Sequence, residues 1–513
     1  MLATCIGSLC AQETDITQTP NAIGAGIQRS YIDQIGAGHG GPFVPDSSVF
    51  LIQRDPFRSI ARGRNLFQRK FTMAQGLGPR VGDGVGPIAA NAAHGAGLAD
   101  SCASCHGRPH GAAGTGGDVF TRPDSRDAPH LFGLGLVEML ADEITADLRA
   151  IRAQARSAAQ QAGQPVTLPL VAKGIAYGSI TALPNGGFAT TGVQGVNADL
   201  RVRPFFADGR TSSIREFVVG AFQAEMGLQA VDPLLRAAAN GATVTSPAGR
   251  VFDGSRDTIE APPAAHAGQD PDHDGVHNEV PTSIVDHMEF YLLNYFKPGH
   301  AEQTVFTQTG RERMQAFGCT QCHVPDLVIQ HDRRVADVET AFDATQPGFN
   351  HLTATATPLF QLAPLGQALP PRKLPLGGSF VVHDLFADFR RHDLGPAFHE
   401  RNFDGTTTTR FLTEPLWGVG STAPYGHDGR SINLREVILR HGGEAQAARD
   451  AFALAPAADQ AAVIAFLDSL VLFPPPDTAS NLDPSNPGMP GFPQVGHGSI
   501  KLSVLFNVPS IPE

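Results

Sequence analysis

At 513 residues the chain exceeds what one hydrophobic core ordinarily organises, so two or three domains with room for a large cofactor are expected. Lys and Arg number 38 against 50 Asp and Glu, a net charge of −12 without a basic tract, which argues against nucleic acid or an anionic membrane as partner. Abundant Gly (56) and Pro (40) beside five Tyr and one Trp predict long loops around a modest number of helices.

The opening "MLATCIGSLCAQETD" is a short apolar start that ends on small residues and turns polar, like the tail of a secretory signal peptide whose charged front is missing. Cleavage near Cys10 or Ala11 would remove Cys5 and Cys10. An exported, periplasmic protein is expected, and no later apolar run approaches the roughly 20 residues of a membrane span. From there to about residue 54 the chain is punctuated by Gly and Pro without a period and reads as a surface extension. Next, "FRSIARGRNLFQRKF" (57 to 71) and "TVFTQTGRERMQAFGC" (304 to 319) share a helical Gly-Arg pattern, each upstream of a Cys pair. Downstream, "RPFFADGRTSSIREFVVGAF" (203 to 222) resembles "APYGHDGRSINLREVILRHG" (423 to 442), so the chain reads as a duplication. Between the copies, Asp270, Asp272 and Asp274 before Gly275 imitate a calcium loop, yet its last ligand position is Pro281, and an ordinary acidic turn is the competing reading. After about 474 the chain is a Pro-rich tail.

Two motifs carry the chemistry: Cys102-Ala-Ser-Cys105-His106 and Cys319-Thr-Gln-Cys322-His323. Cys-x-x-Cys-His attaches a c-type haem through two thioethers and places the His beneath the iron. A redox disulfide or half a zinc site would explain one such motif but not a repeated pair in an exported chain. His106 and His323 are therefore the expected proximal iron ligands of two covalently bound haems. The sixth ligand decides whether an iron only moves electrons or also binds a small oxidant. In "NLREVILRHGG", Leu434, Val437 and Ile438 form a helical apolar stripe that His441 completes, ahead of Gly442-Gly443. His441 is thus the candidate second ligand at the second haem. The first copy has Ala221 or Phe222 at that place, with only His94, His110 and His130 as substitutes, so the first haem is expected to be open. The expected architecture is mainly α, with two cytochrome c-like haem domains and long loops: a signal remnant and extension over 1–54, haem c domains over 55–300 and 301–475, and the tail over 476–513.

These blocks, with "PLWGVG", "APHLFGLGLVEML" and "FADFRRHDLGP", resemble the bacterial di-haem cytochrome c peroxidase and MauG superfamily, most closely its branch called di-haem oxidoreductase, putative peroxidase. The resemblance covers roughly residues 55 to 475. It implies that the second haem is bis-histidine, because His441 stands where the peroxidases have Met and MauG has Tyr. It also implies calcium between the domains, held by main-chain oxygens at Thr422 and Pro424 and by Asp127 where relatives have Asn. The glutamate of the active pocket is matched by Glu225, which would take a proton from hydrogen peroxide and return it to the leaving oxygen. His427 matches a position beside the second haem's propionates, which Arg210 and Arg430 could also reach; His392 and Asp393 could orient that edge. Two departures stand out: the Trp between the haems is Ala207 here, and the distal Gln is Phe217. The sole Trp, Trp417, is expected to pack beside the second haem. Relatives are often dimers.

The reading that follows is a periplasmic peroxidase, reducing hydrogen peroxide at the first haem with electrons from a small periplasmic donor passed through the second. The alternatives are a haem-dependent oxygenase or MauG-like oxidase of an organic substrate, and an electron-transfer cytochrome.

Overall fold

The computed structural model describes residues 31–69, 71, 101–106, 128–271, 273, 275–295, 299–301, 303–342, 352–363, 369–402 and 405–472. Helix makes up 40% and strand 18% of the described residues, the strands in many small sheets. This corrects the mainly α expectation: helices alternate with antiparallel hairpins, and the described residues show no cytochrome c-like haem-domain fold. The reason lies in segments such as "VTLPLVAKGIAYGSITA". Its β-branched residues form β1 (Val166–Ala172) and β2 (Ile175–Ala182), joined by β3 (Phe188–Ala189) in one antiparallel sheet. Lys173 and Gly174 between them have φ of 48° and 80°, the double positive φ of a tight two-residue hairpin. In the C-terminal half Ala336–Phe342 pairs with Leu352–Pro358, and Phe360–Ala363 with Arg372–Pro375.

The described helices are α1 (Tyr31–Ile35), α2 (Ser48–Arg54), α3 (Pro56–Gln68), α4 (Cys102–His106), α5 (Leu134–Ala162), α6 (Ile214–Met226), α7 (Pro233–Ala239), α8 (Thr282–Asn294), α9 (Val305–Ala316), α10 (Leu434–Arg440), α11 (Gln446–Leu454) and α12 (Ala457–Asp468). None is long and apolar enough to cross a membrane. A large core gathers α3, α5, α6, the β1–β2 hairpin and α8, every residue of which from Ser283 to Asn294 is buried. A smaller one joins Met314, Leu434, Phe452, Phe466 and Phe386 from α9 to α12 and the chain before them.

The repeated Gly-Arg pattern marks a helix crossing in each half. A Cβ on Gly63 of α3 would lie 2.4 Å from the His287 carbonyl of α8, and one on Gly310 of α9 would lie 2.0 Å from the Ala462 carbonyl of α12. Only glycine allows backbones to approach so closely. From Tyr31 onward the supposed surface extension is core: Tyr31, Phe50, Leu51 and Ile52 are buried. His39 and Ser48 both reach the Asp286 carboxylate of α8, His39 Nδ1 at 2.6 Å. In the acidic loop, Asp270 accepts the Gly275 N–H at 3.0 Å as an ordinary turn would; Asp272 and Asp274 lie outside the described residues.

Candidate functional site

The duplication is visible in the backbone. Phe205 bridges to Thr211, and Tyr425 bridges to Ser431, both antiparallel. Each bridge brackets the Asp-Gly-Arg turn and leads to a capped helix: the Ser213 side chain accepts the Glu216 N–H, and that of Asn433 accepts the Glu436 N–H. The offset from Asp208 to Asp428 is 428 − 208 = 220, so His441 corresponds to Ala221. Helix α6 runs on to Met226, whereas α10 stops at Arg440 and His441 is its C-cap.

Both motif histidines are oriented alike. His106 Nδ1 donates to the Pro129 carbonyl at 2.7 Å, and His323 Nδ1 donates to the Phe386 carbonyl at 3.0 Å. His441 Nδ1 donates to its own helix, to the Val437 carbonyl at 2.7 Å. A ring that donates through Nδ1 carries its lone pair on Nε2, the form in which imidazole ligates a metal. Burial lowers all three pKa values, His441 to about 4, with the nearby His323 and Arg440 adding to the effect. The rings are therefore neutral at pH 7. Protonation of either His441 or His323 would disfavour protonation of the other, so the two rings are neighbours, and Cys319 and Ile438, close to them in sequence, pack on the smaller core.

The motif cysteines form no disulfide. Burial pushes Cys102 up to about 12 and Cys319 up to about 11, the opposite of the low-pKa thiolate that redox or zinc chemistry favours. Among the described residues the only converging set of three His, Cys, Asp or Glu side chains is Cys322, Asp388 and His392. His392 is no ligand there. Its Nε2 pairs with Asp388 at 2.8 Å and its Nδ1 with Glu444 at 2.7 Å. Against the burial that opposes it, the Asp388 pairing raises its pKa to about 10. The residues present thus fit two thioether-bound haems with axial imidazoles better than they fit a bare metal ion.

Other expected site residues fall as follows. Glu225 sits half-buried in the last turn of α6, and Phe217 on the same helix packs against Phe205 and Phe206 at ring distances of 5.9 and 5.4 Å. His427 stacks on Phe411 at 3.8 Å, with Glu400 3.5 Å from its Nε2. Arg210 is forked onto Asp208, and Arg430 lies 3.5 Å from Asp428. Thr422 and Pro424 follow the short helical turn Val419–Ser421, where no cluster of acidic side chains gathers among the described residues, while Asp127 lies outside the described residues. His94 and His110 also lie outside them.

His130 is described, and both its ring nitrogens are engaged. Nε2 donates to the Trp417 carbonyl at 2.9 Å, and Nδ1 accepts the Phe132 N–H at 3.3 Å, leaving no lone pair for an iron. Trp417 packs on Gly133 at the start of α5, a Cβ there falling 2.8 Å from its ring. It therefore joins the large core, which draws residues from both halves. No local sequence signal announces this contact.

Comparison with known proteins first suggests a class, oxidoreductases of a di-haem kind. More particularly, residues 381–470 match the family model described as "Di-haem oxidoreductase, putative peroxidase", the family whose blocks the sequence resembles. The match contains His392, Trp417, His427 and His441, and lies beyond both Cys-x-x-Cys-His motifs. No curated protein matches the chain.

Proposed function

We propose that the chain is a periplasmic c-type di-haem peroxidase, with its haems covalently attached at Cys102/Cys105 and Cys319/Cys322. The observation that carries this reading is the matched orientation of His106 and His323, together with a third imidazole of the same tautomer, His441, beside only the second of them. When bound, the two haems supply reversible one-electron storage and, where a coordination face is free, a place for a small oxidant. The protein does the rest. His323 and His441 would together hold the second haem and restrict it to electron transfer, while Ala221 puts no imidazole at the corresponding place in the first copy. Glu225 takes a proton from hydrogen peroxide and returns it to the departing oxygen. Two electrons from a small periplasmic one-electron donor and two protons complete the reduction of one peroxide to two waters.

Steady-state turnover of hydrogen peroxide with a reduced donor tests this reading. Glu225→Gln is expected to lower kcat by about 10²–10⁴-fold, the range of a lost general acid–base group, with both haems retained; unchanged turnover removes Glu225 from the scheme. The cluster of Phe205, Phe206 and Phe217 favours a second reading, oxidation of an apolar organic substrate with dioxygen. Stable dioxygen binding by the reduced protein would select it.

A further inference from the structure

Each proximal imidazole is tied to a backbone carbonyl, and those two carbonyls are connected. Pro129, which accepts from His106 at 2.7 Å, is covalently bonded to His130, whose Nε2 donates to the Trp417 carbonyl at 2.9 Å. One residue earlier, the Leu416 N–H donates to the Leu385 carbonyl at 3.1 Å. Leu385 is bonded to Phe386, whose carbonyl accepts from His323 at 3.0 Å. Four hydrogen bonds and the covalent links between them therefore run unbroken from one motif histidine to the other. The tautomer of His130 is fixed, because Nδ1 accepts from Phe132 while Nε2 donates.

We propose that His130 is a positioning residue that couples the redox states of the two haem sites through this chain of bonds; the inference rests on the two-haem reading above. The physical basis is the hydrogen bond each ligand imidazole makes on its far side. Such bonds set the basicity of the ligand and hence the potential of the iron it holds. A ferric iron withdraws more charge from its imidazole than a ferrous one, so the Nδ1–H bond to the carbonyl strengthens on oxidation. Each bond in the path polarises the peptide or ring dipole it meets, and the covalent links through the intervening Cα carbons hold those dipoles in register, so that a change at one ring is passed to the other. Coupling of this kind is reciprocal. No atom moves between sites: one electron added to either iron from an external one-electron reductant shifts the affinity of the other for the next.

The path runs through the main-chain carbonyl of Trp417, not through its indole. His130→Phe removes the donor, His130→Gln restores an N–H at a similar reach, and Trp417→Phe leaves the carbonyl in place. The experiment is a spectroscopic redox titration of the purified holoprotein and the three variants, with haem content fixed by the pyridine haemochrome assay and folding by denaturant midpoint. The wild type, His130→Gln and Trp417→Phe are expected to show interacting potentials, the midpoint of each site shifting with the state of the other. In His130→Phe the two sites should titrate independently. Coupling that survives in His130→Phe, or is absent from the wild type, overturns the proposal. So does loss in His130→Gln with haem content and midpoint unchanged, and loss confined to Trp417→Phe assigns the coupling to the indole instead. A chain carrying fewer than two haems would overturn the two-haem reading itself, a failure the haemochrome assay separates from the others.

Discussion

Helices α6 and α10 begin as copies and end differently. Each opens with a polar cap and an Arg-Glu pair, Arg215-Glu216 in one and Arg435-Glu436 in the other. Arg215 is fully buried and bonded to three carboxylates, with Asp232 at 2.6 Å, Asp286 at 2.9 Å and Glu289 at 2.7 Å. Among the described residues Arg435 meets the Gln460 side chain and the ring of Phe452. At the other end α6 continues past Ala221, whereas α10 stops with His441 as its C-cap. The first copy is anchored to α7 and α8; the second is a short helix that ends on an imidazole. Divergence after duplication has put anchorage in one half and an imidazole in the other, and the proposed division of labour between the two motifs rests on that difference.

The largest expected effect breaks the anchorage. Arg215→Met leaves Asp232, Asp286 and Glu289 buried without their cation and should cost about 3–5 kcal/mol, while Arg435→Met should cost about 1 kcal/mol; urea midpoints compare them. Similar losses from both would erase the contrast. Next come Gly63→Ala and Gly310→Ala, each forcing apart a helix pair at its closest approach, at about 1–3 kcal/mol each. Here the halves should behave alike, and a tolerated alanine at either glycine would show that its crossing is not tight. A pH slope sharpens the contrast further. The folded pKa of His392 is raised to about 10, so the stability it contributes is complete below its unfolded value of about 6.5 and is lost as pH rises toward 10. Midpoints measured from pH 6 to 10 should fall, and fall less in His392→Gln.

Much of this contrast was legible in the sequence, because a duplicated block shows itself by spacing and a helical stripe shows itself by period. His441 on α10, and its replacement in the first copy, came from those two signals. The Gly-Arg pattern was visible as a repeat, but its purpose was not, since nothing local to Gly63 or Gly310 says that another helix lies against it. The hairpins were missed for a related reason. Gly and Pro counts cannot distinguish a loop from a chain of tight turns, and Lys173-Gly174 is the latter. Residues 31–54 lack a period because α1 and α2 are short, yet they supply core. Least legible were the partners of the histidines. Pro129, Phe386 and Val437 act through backbone carbonyls, which every residue type possesses, and the bond from His130 to Trp417 spans 287 positions.

The most direct test of unequal sites is EPR spectroscopy of the fully oxidised protein beside His441→Ala. One high-spin and one low-spin ferric signal are expected from the wild type, with the low-spin signal becoming high-spin in the variant. Two low-spin signals, two high-spin signals, or a wild-type spectrum unaltered by the substitution would contradict the account.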